Sequence, residues 1–174
     1  DTGETFSFTL SDSRFEVVGG NLRLKTGQSL DFETEPNVSV TITARDSGDA
    51  QIARTFSLQT TDANERPTNI QLSSNSVTEN VAGAVIGDLS VVDPDAGDTH
   101  TLSVADARFE IVSGQLRLKA GQSLDYEAGA TVSVEVTARD AGGLEFTKSL
   151  SIAVGDVNDA PTAIQVTPPS VREN

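Results

Sequence analysis

One block of this chain returns after 94 residues without a gap. Phe15 to Glu33 reads FEVVGGNLRLKTGQSLDFE, and Phe109 to Glu127 reads FEIVSGQLRLKAGQSLDYE. The same offset lays Thr43-Ala44-Arg45-Asp46 on Thr137-Ala138-Arg139-Asp140, Pro67-Thr68 on Pro161-Thr162, and Glu79-Asn80 on Glu173-Asn174. Aligned in full, residues 1–80 match residues 95–174 at 38 of 80 positions. Such a period marks tandem copies of one folding unit, so the whole fold follows from the reading of one copy. The phase gives an incomplete copy at 1–66, a complete copy at 67–160, and the first strand of a following copy at 161–174. With no Met at the start, the chain is expected to be a piece of a longer array.

Within the complete copy the apolar period is two, not 3.6. Val132, Val134, Val136 and Ala138 alternate with Ser133, Glu135, Thr137 and Arg139, and Leu150, Ile152 and Val154 alternate with Ser149, Ser151 and Ala153. That pattern predicts strands with one buried face. Further strands are expected at 69–77, 84–92, 99–104, 109–112 and 115–119, separated by Gly and Asp clusters. Seven short strands in about 94 residues predict an all-β fold: tandem seven-stranded Greek-key β-sandwiches of the immunoglobulin type. There is no Cys in the sequence, so the sandwich lacks a disulfide, and thiol catalysis and Cys-ligated metals are excluded.

The formal charge is −14, from 12 Lys and Arg against 26 Asp and Glu. Clustered cations are what nucleic acids and anionic membranes select, so neither partner is expected. No apolar run is long enough to span a bilayer as a helix. In the complete copy the acids gather in five short clusters near strand ends: Glu79; Asp93 and Asp95 with Asp98; Asp125 and Glu127; Asp140; and Asp156 with Asn158 and Asp159. Several have i, i+2 spacing, which in an extended strand puts both side chains on one face. Paired carboxylates repel unless a cation lies between them, and Ca2+ takes six to eight oxygen ligands from such groups.

These motifs resemble the calcium signatures of cadherin repeats: TEN at 78–80, DPD at 93–95, LDYE at 124–127, TARD at 137–140 and DVNDAP at 156–161. The run DPDAGDTHTLSV at 93–104 is similar to cadherin-like repeats of large bacterial surface and secreted adhesins of the RTX type. The resemblance implies an interdomain Ca2+ cluster, with Asp31, Glu33, Asp62, Asn64 and Glu65 from the first copy and its linker. Backbone carbonyls of Ala63 and Arg66 join them, and Asp93, Asp95 and Asp140 come from the second copy. Glu79, Asp125, Glu127, Asp156, Asn158 and Asp159 form the half-site for a following copy, and Asp1 with Asp46 that for a preceding one. Glu65 and Arg66 depart from the cadherin pattern, which has Asp and Asn there.

Other readings of these residues are weaker. Gly97 and Val104 stand where an EF-hand starting at Asp93 needs a ligand and its Glu. His100 is the single histidine, with Phe6 as its counterpart, and is expected to be a partly buried side chain. Asn37-Val38-Ser39 matches a glycosylation sequon whose counterpart is lost at Thr131, and chance explains it. Arg45 and Arg139 are expected on a solvated face, and Tyr126 in the core. One histidine in two copies leaves no repeated triad, so no enzyme is expected. Two functions remain. The first is a calcium-rigidified extender of a bacterial cell-surface or secreted adhesin, whose partners are neighbouring repeats of the same chain. The second is a calcium-dependent binding module for a polysaccharide or for homophilic contact; with one Tyr and no Trp, aromatic platforms for sugars are scarce.

Overall fold

The alternation of β-branched and polar residues becomes β-structure throughout, and no helix is present among the described residues. The computed structural model describes residues 6–165. Two compact units divide the chain at residues 1–65 and 66–174.

In the first unit, β1 (Ser7–Leu10), β4 (Asn37–Arg45) and β5 (Gln51–Gln59) form an antiparallel sheet in the order β1-β4-β5. A separate hairpin joins β2 (Phe15–Val18) to β3 (Asn21–Leu24). Gly19 and Gly20 both take positive φ, 58° and 80°, as a two-residue turn between right-twisted strands requires. The buried core is small: Phe15, Val38 and Val40, with Leu22, Leu24 and Leu30 packed against them.

The second unit holds eight strands: β6 (Asn69–Leu72), β7 (Ser76–Thr78), β8 (Val85–Val92), β9 (Thr101–Val104), β10 (Phe109–Val112), β11 (Gln115–Leu118), β12 (Thr131–Arg139) and β13 (Glu145–Gly155). They form two four-stranded sheets, ordered β10-β11-β8-β6 and β7-β13-β12-β9. Phe109, Ile70, Leu116, Leu118, Val134 and Ile152 fill the space between, each at most 1% exposed. All neighbours are antiparallel except β7, which runs parallel to β13. Repeat-related turns recur in detail: Ser113 and Gly114 take φ of 51° and 80°, matching Gly19 and Gly20.

The one strand expected at 69–77 is two, so the unit has eight strands where seven were expected. At Ser73-Ser74-Asn75 the chain leaves the sheet of β8 and crosses to that of β13. Ser73 secures the first side, its amide donating to Asp88 O at 2.9 Å and its hydroxyl oxygen accepting from Asp88 N at 2.8 Å. Asn75 secures the second, its carbonyl accepting from Ala153 N at 2.8 Å. Gly87 permits the crossing, because a Cβ there would stand 2.8 Å from Ser74 N and 2.9 Å from Ser74 O.

Candidate metal centre

Parallel pairing of β7 with β13 ends at Thr78, and the next residue is a carboxylate that is 1% exposed. The Glu79 amide donates to Gly155 O at 3.0 Å. Asn80 turns the chain away with φ 60°, its amide donating to Leu124 O at 3.0 Å. The backbone is thus pinned on both sides of Glu79, and the side chain is aimed inward. Burying a charge is costly unless hydrogen bonds replace its water. Two backbone amides do so: Val157 N donates to Oε1 at 2.7 Å and Tyr126 N to Oε2 at 2.8 Å.

Two exposed acids share this place. One carboxylate oxygen each from Glu79, Glu127 and Asp159 lie within 4.8 Å of one another. Asn80 Nδ2 donates to Asp159 Oδ1 at 3.0 Å. The Glu127 amide bonds its own carboxylate and lowers its pKa, but desolvation, the Glu79 charge, Asp125 and the Asp159 charge outweigh it. The Glu127 pKa is raised above its ordinary value. A group held in that state gains from a cation placed among the three, and a donor set made only of oxygen suits Ca2+.

The first unit builds a related arrangement, with Glu33 and Glu65 at the repeat positions of Glu127 and Asp159 and with Asp62, the counterpart of Asp156, beside them. Carboxylate oxygens of Glu33, Asp62 and Glu65 lie within 4.8 Å of one another. The longer Glu65 arm, which departs from the motif's Asp, still brings its oxygen to the group. Asp31 Oδ1 accepts from Glu33 N at 3.0 Å and Thr34 N at 3.2 Å. Bonding to Thr34 and Glu33 outweighs desolvation and lowers the Asp31 pKa. For Glu33, its own amide pulls downward, but desolvation, Asp31 and the Asp62 charge push harder, and its pKa is raised.

The remaining expected residues have structural duties of their own. Asp93 Oδ1 accepts from Asp95 N at 3.0 Å, and Asp93 Oδ2 meets His100 Nε2 at 2.7 Å. Asp98 completes a trio with these two, its ligand atom within 4.8 Å of theirs. Asp140, 5% exposed, closes the β12–β13 hairpin by accepting from Leu144 N at 2.7 Å, as Asp46 accepts from Gly48 N and Ala50 N in the first unit. Ala63, Asn64, Arg66, Asp125, Asp156 and Asn158 are exposed, and Asp1 lies outside the described residues.

Two expectations are corrected. Asp31 with Glu33, Asp125 with Glu127, and Asp93 with Asp95 lie in turns, not strands, because each leading Asp accepts an amide proton from two or three residues on. Tyr126 is 37% exposed rather than core, since its amide is drawn to Glu79 within that turn. His100 is partly buried as expected, but its tie to Asp93 was missed; the seven-residue separation within one turn was the available signal. Arg45 and Arg139 are on the solvated face, both more than half exposed.

No family model matches the chain. It is 33% identical over 174 residues to protocadherin gamma-A4 of Pan troglodytes, covering 90% of this chain and 18% of that protein. It is 38% identical over 153 residues to human protocadherin-16, covering 79% of this chain and 5% of that protein. Its fold superimposes on human protocadherin-24 EC1-2 with a TM-score of 0.61 and 26% identity, covering 88% of this chain and 83% of that one. The units are cadherin-like domains. The chain spans less than a fifth of the two curated relatives named. Those relatives are vertebrate proteins, and the bacterial source expected from the 93–104 run has no support among them.

Proposed function

We propose that this chain is a calcium-binding pair of cadherin-like repeats from an extracellular adhesion protein, stiffened when calcium fills the acidic clusters at the ends of its repeats. The observation that carries the reading is Glu79, a nearly inaccessible carboxylate held beside Glu127 and Asp159. A second acidic cluster at Glu33, Asp62 and Glu65, two of them at the repeat positions of Glu127 and Asp159, supports it. Ligands at the end of the second unit are Glu79, Asp125, Glu127, Asp156, Asn158 and Asp159. In the first unit they are Asp31, Glu33, Asp62, Asn64 and Glu65, with carbonyls of Ala63 and Arg66. On sequence motif alone, Asp93, Asp95, Asp140, Asp46 and Asp1 belong to the same chemistry.

Bound Ca2+ supplies positive charge that offsets carboxylate repulsion. The protein's part is to hold Glu79 by two amides and a pinned backbone, so that the cluster is formed before the ion arrives. Without calcium, like charges at repeat ends favour separation and a flexible array; with it, successive repeats become a rod. A second reading, calcium-dependent homophilic adhesion, draws on the relatives: protocadherin gammaB7 EC3-6, 25% identical with a TM-score of 0.55, is described as a cis-dimer structure. Polysaccharide binding draws nothing from them, and a bacterial surface location rests on the 93–104 run alone.

The test is calorimetry and small-angle scattering of the 174-residue chain with calcium and with chelator. Calcium should bind, raise the melting temperature and lengthen the maximum dimension. A chain indifferent to chelator in all three would overturn the reading.

A further inference from the structure

Two polar residues of the second unit stand where the strand register leads to the core. Along β8, Leu89 and Val91 pack against the core, and the next step of two, just past the strand's end, is Asp93. Along β9, Val104 and Leu102 do the same, and the next step of two, just before the strand's start, is His100. The side chains of Asp93 and His100 are 4% and 13% exposed. Because β8 and β9 belong to opposite sheets, the pair lies across the mouth of the sandwich, His100 Nε2 being 2.7 Å from Asp93 Oδ2. This mouth is remote from Glu79. Thr101 pairs with Arg139 and Arg139 with Glu145, at the opposite end of the 11-residue β13 from the Gly155 that pairs with Thr78.

By itself, a carboxylate touching an imidazole is a hydrogen bond. A third side chain makes it more than that. Asp98 brings a second carboxylate oxygen within 4.8 Å of both atoms. The turn that delivers it is closed by Asp98 N donating to Asp95 O at 3.2 Å, with Gly97 at φ 89°. Two carboxylates half-removed from water repel, and one imidazole proton cannot serve both. Each carboxylate is also held from behind. Asp95 N donates to Asp93 Oδ1 at 3.0 Å, while Thr99 N and Ala141 N donate to Asp98 Oδ1 and Oδ2 at 2.6 and 3.4 Å. Carboxylates anchored by outer hydrogen bonds, with lone pairs left over, are the usual state of metal ligands. Nor does the fold itself require the imidazole, since Phe6 occupies its repeat position.

We propose that Asp93, Asp98 and His100 form a site for a first-row transition-metal ion of the Zn2+ class, separate from the calcium clusters. The nitrogen selects the metal. Ca2+ takes oxygen ligands, whereas Zn2+ accepts imidazole and carboxylate together. With its proton on Nδ1, His100 offers the Nε2 lone pair to the ion. Bonds of about 2.0 to 2.2 Å set neighbouring ligand atoms about 3.3 Å apart around a tetrahedral ion, so the 2.7 Å pair opens slightly and Asp98 closes by at most about 1.5 Å. Three protein ligands leave a fourth position for water. The bound ion joins the ends of strands from opposite sheets, so it stabilises the folded second unit. The proposal takes Asp93 out of the calcium set and leaves the Glu79 cluster untouched, so either reading can fail alone.

His100 is the one histidine in the sequence, so the imidazole signals of the untagged 174-residue chain report on this site alone. Zn2+ is titrated by NMR and by calorimetry, in calcium-free buffer and again in millimolar calcium. The His100 signals should shift, saturating near one equivalent, to the same extent in both buffers, and Zn2+ should raise the melting temperature. His100→Gln and Asp98→Asn should each weaken Zn2+ binding at least tenfold. Asp98→Asn keeps an acceptor for Thr99 N, so its melting curve without metal should match that of wild type. Glu79→Gln should leave the shift of the His100 signals intact. Signals that Zn2+ does not move, or an affinity unchanged in both site variants, would overturn the proposal. So would a shift that millimolar calcium abolishes, which would mean that the trio belongs to the calcium centre.

Discussion

Replacing Glu79 by Gln keeps the size of the side chain and removes one acceptor and the charge. In the native unit both oxygens accept backbone amide protons, from Val157 at 2.7 Å and Tyr126 at 2.8 Å. A hydrogen bond to a charged group contributes about 1.5 to 3 kcal/mol, and a buried amide left without its acceptor costs about 1 to 3 kcal/mol. Gln retains one acceptor oxygen and turns an NH2 group toward the other amide, so a loss of about 2 to 3 kcal/mol is expected in chelator. Ala removes both acceptors and should cost about twice as much. Against a typical stability of roughly 5 to 15 kcal/mol, both effects are large. Denaturant unfolding followed in chelator measures them, and the second unit's transition should shift with the slope unchanged. Repeated in calcium, the gap between wild type and Glu79→Gln should widen, because a ligand specific for the folded state adds about 2.7 kcal/mol at a hundredfold excess over its Kd. A Gln variant within about 0.5 kcal/mol of wild type in both solutions would refute the claim that this carboxylate organises the cluster.

Gly87→Ala should destabilise the second unit by about 1 to 3 kcal/mol, the usual cost of overpacking, because the Ser74 backbone occupies the Cβ position; thermal unfolding would detect it. Phe109→Ala should cost about 3 to 5 kcal/mol, and a denaturant titration should show it falling on the second unit's transition. The Arg108 side chain holds the Asp106 pKa below its ordinary 3.8, and Arg14 does the same for Asp12. The folded state therefore binds fewer protons there, and stability should decline as pH falls from about that value toward the lowered folded pKa. Asp106→Asn should flatten that acid limb in a pH series of melting curves. In chelator, Glu33 and Glu127 act with the opposite sign: stability should fall as pH rises from the ordinary 4.5 through their raised folded pKa, and calcium should abolish that slope.

The strand set was legible because period-two alternation along 131–139 and 149–154 admits one reading, and because the same alternation returns at offset 94. The break between β6 and β7 was not. Ser73-Ser74-Asn75 contains no Gly or Pro, and the residue that makes room for the crossing, Gly87, is thirteen positions away from Ser74. The acids of the candidate centre were legible by motif, but their local geometry was misread. An i, i+2 pair of carboxylates looks the same in a strand and in a turn, and only the bonds from Asp31, Asp93 and Asp125 to following amides distinguish them. Nothing in the sequence distinguished Glu79, at 1% exposure, from the exposed Glu127; burial is set by β7 and β13 meeting, a contact between residues 77 positions apart in sequence.

The parallel pairing of β7 with β13 also determines how the second unit bears mechanical load. Tension along the chain enters before β6 and leaves after Gly155, so it draws β7 and β13 in opposite directions along a shared axis. The hydrogen bonds along this pairing, from that of Ala153 N to Asn75 O at one end to that of Glu79 N to Gly155 O at the other, are then strained together in shear instead of being unzipped one by one. The same stretch ends at the carboxylate trio, so an ion bound there would clamp the last link of the strand pair that resists being pulled apart.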